Sequence, residues 1–193
     1  CGSSPTGRTP FVTTGPVGRE IFADAFTEAT GVPLREAADP AGLTEPIVFR
    51  RTLELHRLAD GACASSFPGF ANAQARLYHS RAADLLAQGH VMPGALEALQ
   101  RIHDRSDILS TVLTGGTKAS AIAKLEVFGL DEHLHLRRGA FGEDGPDLAA
   151  LIDVAWQRNA LTFGPQRTVL VGATPHDIAA GQSRDGGQRR CQA

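Results

Sequence analysis

Three stretches of the chain carry residue types that could handle a phosphate group. Residues 112–117, Val-Leu-Thr-Gly-Gly-Thr, set a hydroxyl behind an apolar run and follow it with two glycines. At the end of a strand, Thr114 could donate one hydrogen bond to a phosphate. Gly115, Gly116 and a helix start would add backbone N–H groups and a helix dipole. The same residues also fit a plain strand-to-helix turn in which Thr117 caps the helix. Lys118 and Lys124 are the only lysines in the chain, and both fall in the helix that would follow. An ammonium near a phosphate neutralises charge and steadies the transition state, although most helix lysines are simply solvated.

The third stretch is residues 168–177, Thr-Val-Leu-Val-Gly-Ala-Thr-Pro-His-Asp. It reads as a short buried strand, a loop opened by Gly172, and an acidic residue, Asp177, at the start of a helix. Open α/β sheets present a carboxylate in this way at the carboxyl ends of their strands, where they bind ligands. A magnesium-dependent phosphohydrolase would place two carboxylates four residues apart here, both reaching the ion. Ala173 stands at the first position, so Asp177 is left alone. His176 reads as an exposed loop residue or a base, and the acidic run Glu143, Asp144 and Asp147 as a solvated loop or an aid to a cation.

These residues need elements to position them. Residues 1–16 are Gly, Ser, Thr and Pro with little periodicity and read as an irregular N-terminal segment. Ile21, Phe22, Ala25, Phe26 and Ala29 recur at helical spacing, with Gly31 as the stop. Thr44 caps a second helix carrying Ile47, Val48, Leu55 and Leu58. Residues 61–69 break the pattern, and a third helix is expected over about 70–88. Three helices without a strand describe a helical subdomain over residues 17–88. Residues 89–181 then alternate. A helix begins near Pro93, residues 108–113 read as a buried strand, a helix runs through Ile122, Leu125 and Phe128, residues 133–136 as a short strand, 147–159 as a helix, and 168–171 as a strand. Such alternation predicts an α/β fold with a doubly wound parallel sheet. Residues 182–193 read as an irregular tail.

Composition bounds the function. With 193 residues the chain can bury one core, or a core and a small subdomain. A 42% hydrophobic content and a net charge of −2 give no electrostatic case for nucleic acid or a membrane surface. No apolar run approaches the roughly 18–20 residues needed to span a bilayer, and no signal-peptide pattern opens the chain. Cys1, Cys63 and Cys191 lack metal-ligand spacing, and free thiols in a reducing cytoplasm are expected of them.

In order and spacing, these features resemble the haloacid dehalogenase-like hydrolases, in particular the phosphoglycolate-phosphatase-like branch with a helical cap. Residues 90–99, His-Val-Met-Pro-Gly-Ala-Leu-Glu-Ala-Leu, resemble the return from cap to core. Residues 112–117 resemble the phosphate-binding Thr motif, Lys124 or Lys118 the basic motif, and residues 169–177 the metal-binding motif. The resemblance covers roughly residues 17–181 and implies a Rossmann-like core with an inserted cap. It also implies a small phosphorylated substrate and Mg²⁺, with Thr114, Gly115 and Gly116 on phosphate, a lysine for charge and Asp177 on the metal.

The family's nucleophile lies in Asp-x-Asp-x-Thr at the end of a first strand. That motif would fall within residues 6–10, where no carboxylate occurs, and no Asp precedes Asp24. Together with Ala173, this implies an incomplete core and impaired turnover. A non-catalytic module of the same fold, binding a phosphorylated ligand or a protein partner, is the alternative. Compositional breaks before about residue 9 and after about residue 181 are those expected of a reading frame lost at both ends.

Overall fold

A computed structural model describes residues 11–58, 60–160, 167–172 and 175–183. Eight helices are present among them: α1 (Val17–Thr30), α2 (Glu45–Leu55), α3 (Asp60–Ser80), α4 (Ala82–Gln88), α5 (Ala95–His103), α6 (Lys118–Val127), α7 (Leu148–Asn159) and α8 (Pro175–Ser183). The strands among the described residues are β1 (Val12–Thr13) and β2 (His90–Val91), paired antiparallel with Val12 opposite Val91 and Thr13 opposite His90.

The doubly wound parallel sheet expected from the alternation is therefore not the architecture of the described residues. Residues 108–113 form no regular strand. They run beside residues 135–140 through scattered bonds, Ala140 N–H to the Val112 carbonyl (2.9 Å), Thr114 N–H to Ala140 (3.1 Å) and His135 N–H to Ser110 (2.8 Å). Ladder pairing is reduced to one parallel bridge, Leu113 with Ala140. Short 3-10 turns at Asp131–His133 and Leu136–Arg138 interrupt the neighbouring segment, including the strand expected at 133–136. A strand's hydrogen bonds must come from a neighbour. With the neighbour broken into turns, an apolar β-branched run has nothing to pair along. Residues 168–170 are likewise irregular, and Val169 and Val171 are 66% and 56% exposed.

The helical half follows its pattern more closely. α1 buries Val17, Ile21, Phe22, Ala25 and Phe26 on one face and ends at Gly31, whose φ of 71° is the left-handed conformation glycine adopts without strain. Phe22, Phe26, Val48, Phe49, Leu53, Phe70 and Ala73 from α1, α2 and α3 form one core. Its rings meet mostly edge-on or tilted, Phe22 on Phe70 at 5.1 Å and Phe49 on Phe70 at 4.5 Å. Such pairs contribute about 0.5–1.5 kcal/mol each beyond burial.

The expected third helix over 70–88 is two helices. α3 begins at Asp60 and carries Pro68 in its interior, and Arg81 separates it from α4. A second core joins Val12, Leu99, Val112, Leu125, Leu130, Leu134 and Phe141. A third, of Val17, Ile21, Tyr78, Leu85 and Ala123, ties α1, α3 and α4 to α6. β1 lies inside the segment read as irregular, and α8 reaches into the expected tail.

Candidate functional site

The loop from Thr114 to Thr117 enters α6, and its geometry follows from local hydrogen bonds. Thr114 Oγ1 accepts from the Gly116 N–H (3.2 Å), which folds the loop back and leaves the hydroxyl proton to donate elsewhere. Thr117 is the N-cap of α6 and accepts from the Ser120 N–H at 3.2 Å, as the capping alternative requires. Gly115 is held so close to the start of α2 that a Cβ there would sit 2.7 Å from the Leu43 carbonyl. A side chain does not fit.

Gly116 presents the most suggestive arrangement. A Cβ built on it would lie 3.5 Å from Thr114 Oγ1, 3.6 Å from Lys124 Nζ and 3.6 Å from Ser120 Oγ. Two hydroxyls and an ammonium thus surround one point at the start of a helix. The α6 spacing explains this, because Ser120 and Lys124 are four residues apart and share a face. Lys124 Nζ also lies 5.0 Å over the Tyr78 ring, in range for a cation–π contact. Burial lowers the pKa of this amine from the ordinary lysine value, while the Glu45 charge acts the other way. Burial, with Glu45 adding to it, raises the Tyr78 phenol. Both groups feel the Glu45 charge, so its carboxylate belongs to the same neighbourhood.

Glu45, in the first turn of α2, has no signal in the sequence that marks it as a site residue. Its Oε2 accepts from the Thr117 N–H at 2.8 Å and stands 3.5 Å from Ser120 Oγ. Its Oε1 accepts from Gln74 Nε2 at 2.5 Å. Gln74 is buried, and its Oε1 is without a hydrogen-bond partner among the described residues. The Lys118 N–H is taken by both carboxylate oxygens of Glu143 at 3.0 Å. The first N–H groups of α6, expected to face a phosphate, are thus satisfied by the chain's own carboxylates.

The two lysines part company. Lys118 is exposed and lines a cavity of about 390 Å³ with Arg137, Phe141, Glu143, Asp144 and Arg158. In its wall Arg158 grips Asp144 through two bonds, 2.6 and 2.7 Å, and holds that carboxyl below the usual carboxylate range. Lys118 Nζ is 5.8 Å from the Phe141 ring.

Asp177 lies in the first turn of α8, partly buried, with its side chain folded against Gly172. It is not among the atoms nearest the Gly116 point. Ala173 and the residues at 6–10 lie outside the described residues. Among the described residues no three Asp, Glu, His or Cys side chains come together as a metal cage. Of the positions that the resemblance assigns to Mg²⁺, Asp177 is the one described, and it carries a carboxylate that could contribute to such a site. A scan against protein-family models finds none that matches the chain, and no curated protein matches it either.

Proposed function

We propose that the chain recognises a small phosphomonoester at the Gly116 point in the manner of the haloacid dehalogenase-like phosphatases, and that its own turnover is impaired. The observation that carries this reading is the convergence of Thr114 Oγ1, Ser120 Oγ and Lys124 Nζ within 3.6 Å of one point. The Thr114 hydroxyl proton, a Ser120 hydroxyl that can turn from the Thr117 carbonyl, and a cation at a helix start match the needs of a phosphoryl group, whose oxygens accept hydrogen bonds and carry the charge. Lys124 fills the basic role in this reading, and Lys118 belongs to the neighbouring cavity.

Residues 6–10, where the resemblance would put Asp-x-Asp, carry no carboxylate, so the aspartyl-phosphate chemistry of that family has no nucleophile at those positions. Mg²⁺ and Asp177 remain expectations of the resemblance, and no step is routed through the ion. The second reading, a non-catalytic module holding a phosphorylated ligand, gains from the same missing nucleophile. A cytoplasmic setting is part of the proposal and rests on the cysteine usage and charge.

Calorimetric titration of the full chain with inorganic phosphate tests the site. Binding is expected, and Thr114→Val and Lys124→Met should each weaken it about tenfold or more. Unchanged affinity in both variants would refute the site. Hydrolysis of p-nitrophenyl phosphate with Mg²⁺ should not exceed the buffer rate. A chain with Asp-x-Asp restored within residues 6–10 and Ala173→Asp separates the two readings, because rescued turnover favours the impaired hydrolase.

A further inference from the structure

We propose that Glu45 is an internal competitor at this site, a carboxylate seated where an oxyanion would bind, so that a phosphomonoester enters only by displacing it. The inference rests on the phosphate-binding reading and names what regulates that site. Two donors hold the carboxylate, the Thr117 N–H and Gln74 Nε2, and Ser120 Oγ stands 3.5 Å from it while donating to the Thr117 carbonyl at 3.1 Å. Ser120 Oγ is also one of the three polar atoms around the Gly116 point. One hydroxyl therefore borders both the resident anion and the point an incoming one would take. The electrostatics agree, since the Glu45 charge is felt by both Lys124 and Tyr78. A second anion beside the same Ser120 hydroxyl would repel the first.

Displacing Glu45 has a structural consequence, because the start of α2 is pinned to the same loops. The Glu45 N–H donates to the Gly115 carbonyl (2.7 Å), Thr44 Oγ1 donates to Gly145 (2.8 Å), and the Thr44 N–H donates to Pro146 (3.3 Å). A ligand that expels the carboxylate removes one strap of this clasp and loosens α2 against the 113–117 loop. Ligand binding and closure of α2 on the loop thus oppose one another. The unpaired Gln74 Oε1 fits this picture. That oxygen can already accept from a protonated phosphate oxygen, and with Glu45 withdrawn Gln74 Nε2 is free to donate to an unprotonated one.

Phosphate calorimetry on the wild-type chain, Glu45→Gln and Lys124→Met decides the matter. Glu45→Gln should fold, because the Gln74 amide can rotate to accept from the new amide and leave its oxygen for the Thr117 N–H. Removing the charge is expected to tighten phosphate binding about tenfold or more. On the wild-type chain, hydrogen exchange of the Glu45 amide should speed up as phosphate saturates. Affinity in Glu45→Gln equal to or weaker than wild type, with wild-type binding still dependent on Lys124, would overturn the inference and leave the site intact. Binding absent from both chains, or indifferent to Lys124→Met, would remove the site and the inference together. Should Glu45→Gln fail to melt cooperatively, the wild-type exchange decides alone, and an unchanged Glu45 amide under saturating phosphate overturns the inference.

Discussion

The α1–α3 bundle and the loop-rich region from Asp104 to Asp147 are built on different principles. In the bundle, backbone groups bond within four residues of themselves, and the apolar faces close on a shared aromatic core. The loop-rich region, outside α6, joins local turns to a few backbone bonds from distant segments and reinforces them with polar side chains. Arg158 reaches Asp144 and the Gly139 carbonyl, Asn159 donates to the Arg138 carbonyl (3.1 Å), and Asp144 accepts from the Phe141 N–H (2.9 Å). Helices need only their own chain to satisfy the backbone, whereas strands need a neighbour in register. The bundle can therefore complete itself where the sheet does not form. The candidate phosphate site lies on the seam between them, with Glu45 and Gln74 from the bundle and Thr114 and Ser120 from the other side.

The largest effect that would sharpen this contrast is at Phe49, fully buried and touching Phe26, Phe67 and Phe70. Phe49→Ala should cost about 3–5 kcal/mol in denaturant unfolding, from lost burial and the cavity left behind. Val112→Ala, on the loop-rich side, removes less and lies in a region freer to collapse, so about 1–2 kcal/mol is expected. Equal or reversed costs would break the contrast, because they would make the loop-rich side the better-packed one.

The same contrast explains what could be read from sequence. α1 was legible because its period, its Gly31 stop and its burial all agree, and α7 because Asp147 caps it through the Ala150 N–H at 2.9 Å. Thr44 marks the start of α2 correctly, yet its hydroxyl goes to the Gly145 carbonyl instead of capping. The start of α3 was hidden by Pro68 and Gly69, two breakers that the helix tolerates. Residues 108–113 and 168–171 have strand composition, but composition reports a preference and not the presence of a neighbour. Thr114 and Lys124 were legible as phosphate-handling types, and the structure brings them together. Glu45 was not, since its place depends on how α2 docks against a loop some seventy residues away.

A middle-sized effect should be confined to the polar clips. Asp144, 22% exposed against Arg158, has its pKa lowered first by the side-chain bond to Arg158, with the Phe141 N–H adding to it. A carboxyl whose folded pKa is depressed contributes stability above its unfolded pKa, and loses it as pH falls through the folded value. Asp144→Asn should therefore lower the melting temperature near pH 7 by about 2–4 °C, a loss of about 1 kcal/mol. The deficit relative to wild type should shrink as pH falls below about 4, where the unfolded carboxyl begins to take up a proton, and be lost once pH passes the depressed folded value. A deficit that persists undiminished in acid would mean that Asp144 acts through packing, and that the loop-rich side is less polar in its construction than its bonds indicate.

The smallest effect is expected where strand composition meets solvent. Val169 and Val171 are exposed on a segment that is irregular at 168–170 and holds a single bridge residue at Val171. Their side chains already contact water in the folded chain, so replacing them with Thr removes little burial and keeps the β-branched backbone preference. Val169→Thr and Val171→Thr should each change unfolding free energy by less than about 0.5 kcal/mol in either direction. The sensitive readout is association, because exposed β-branched residues on an irregularly paired segment invite another chain to pair along them. The double variant should stay monomeric to higher concentration in sedimentation than wild type. A large loss of stability in either single variant would show that this segment is packed in solution, and the contrast between a self-sufficient bundle and a loosely held strand segment would fail at its clearest point.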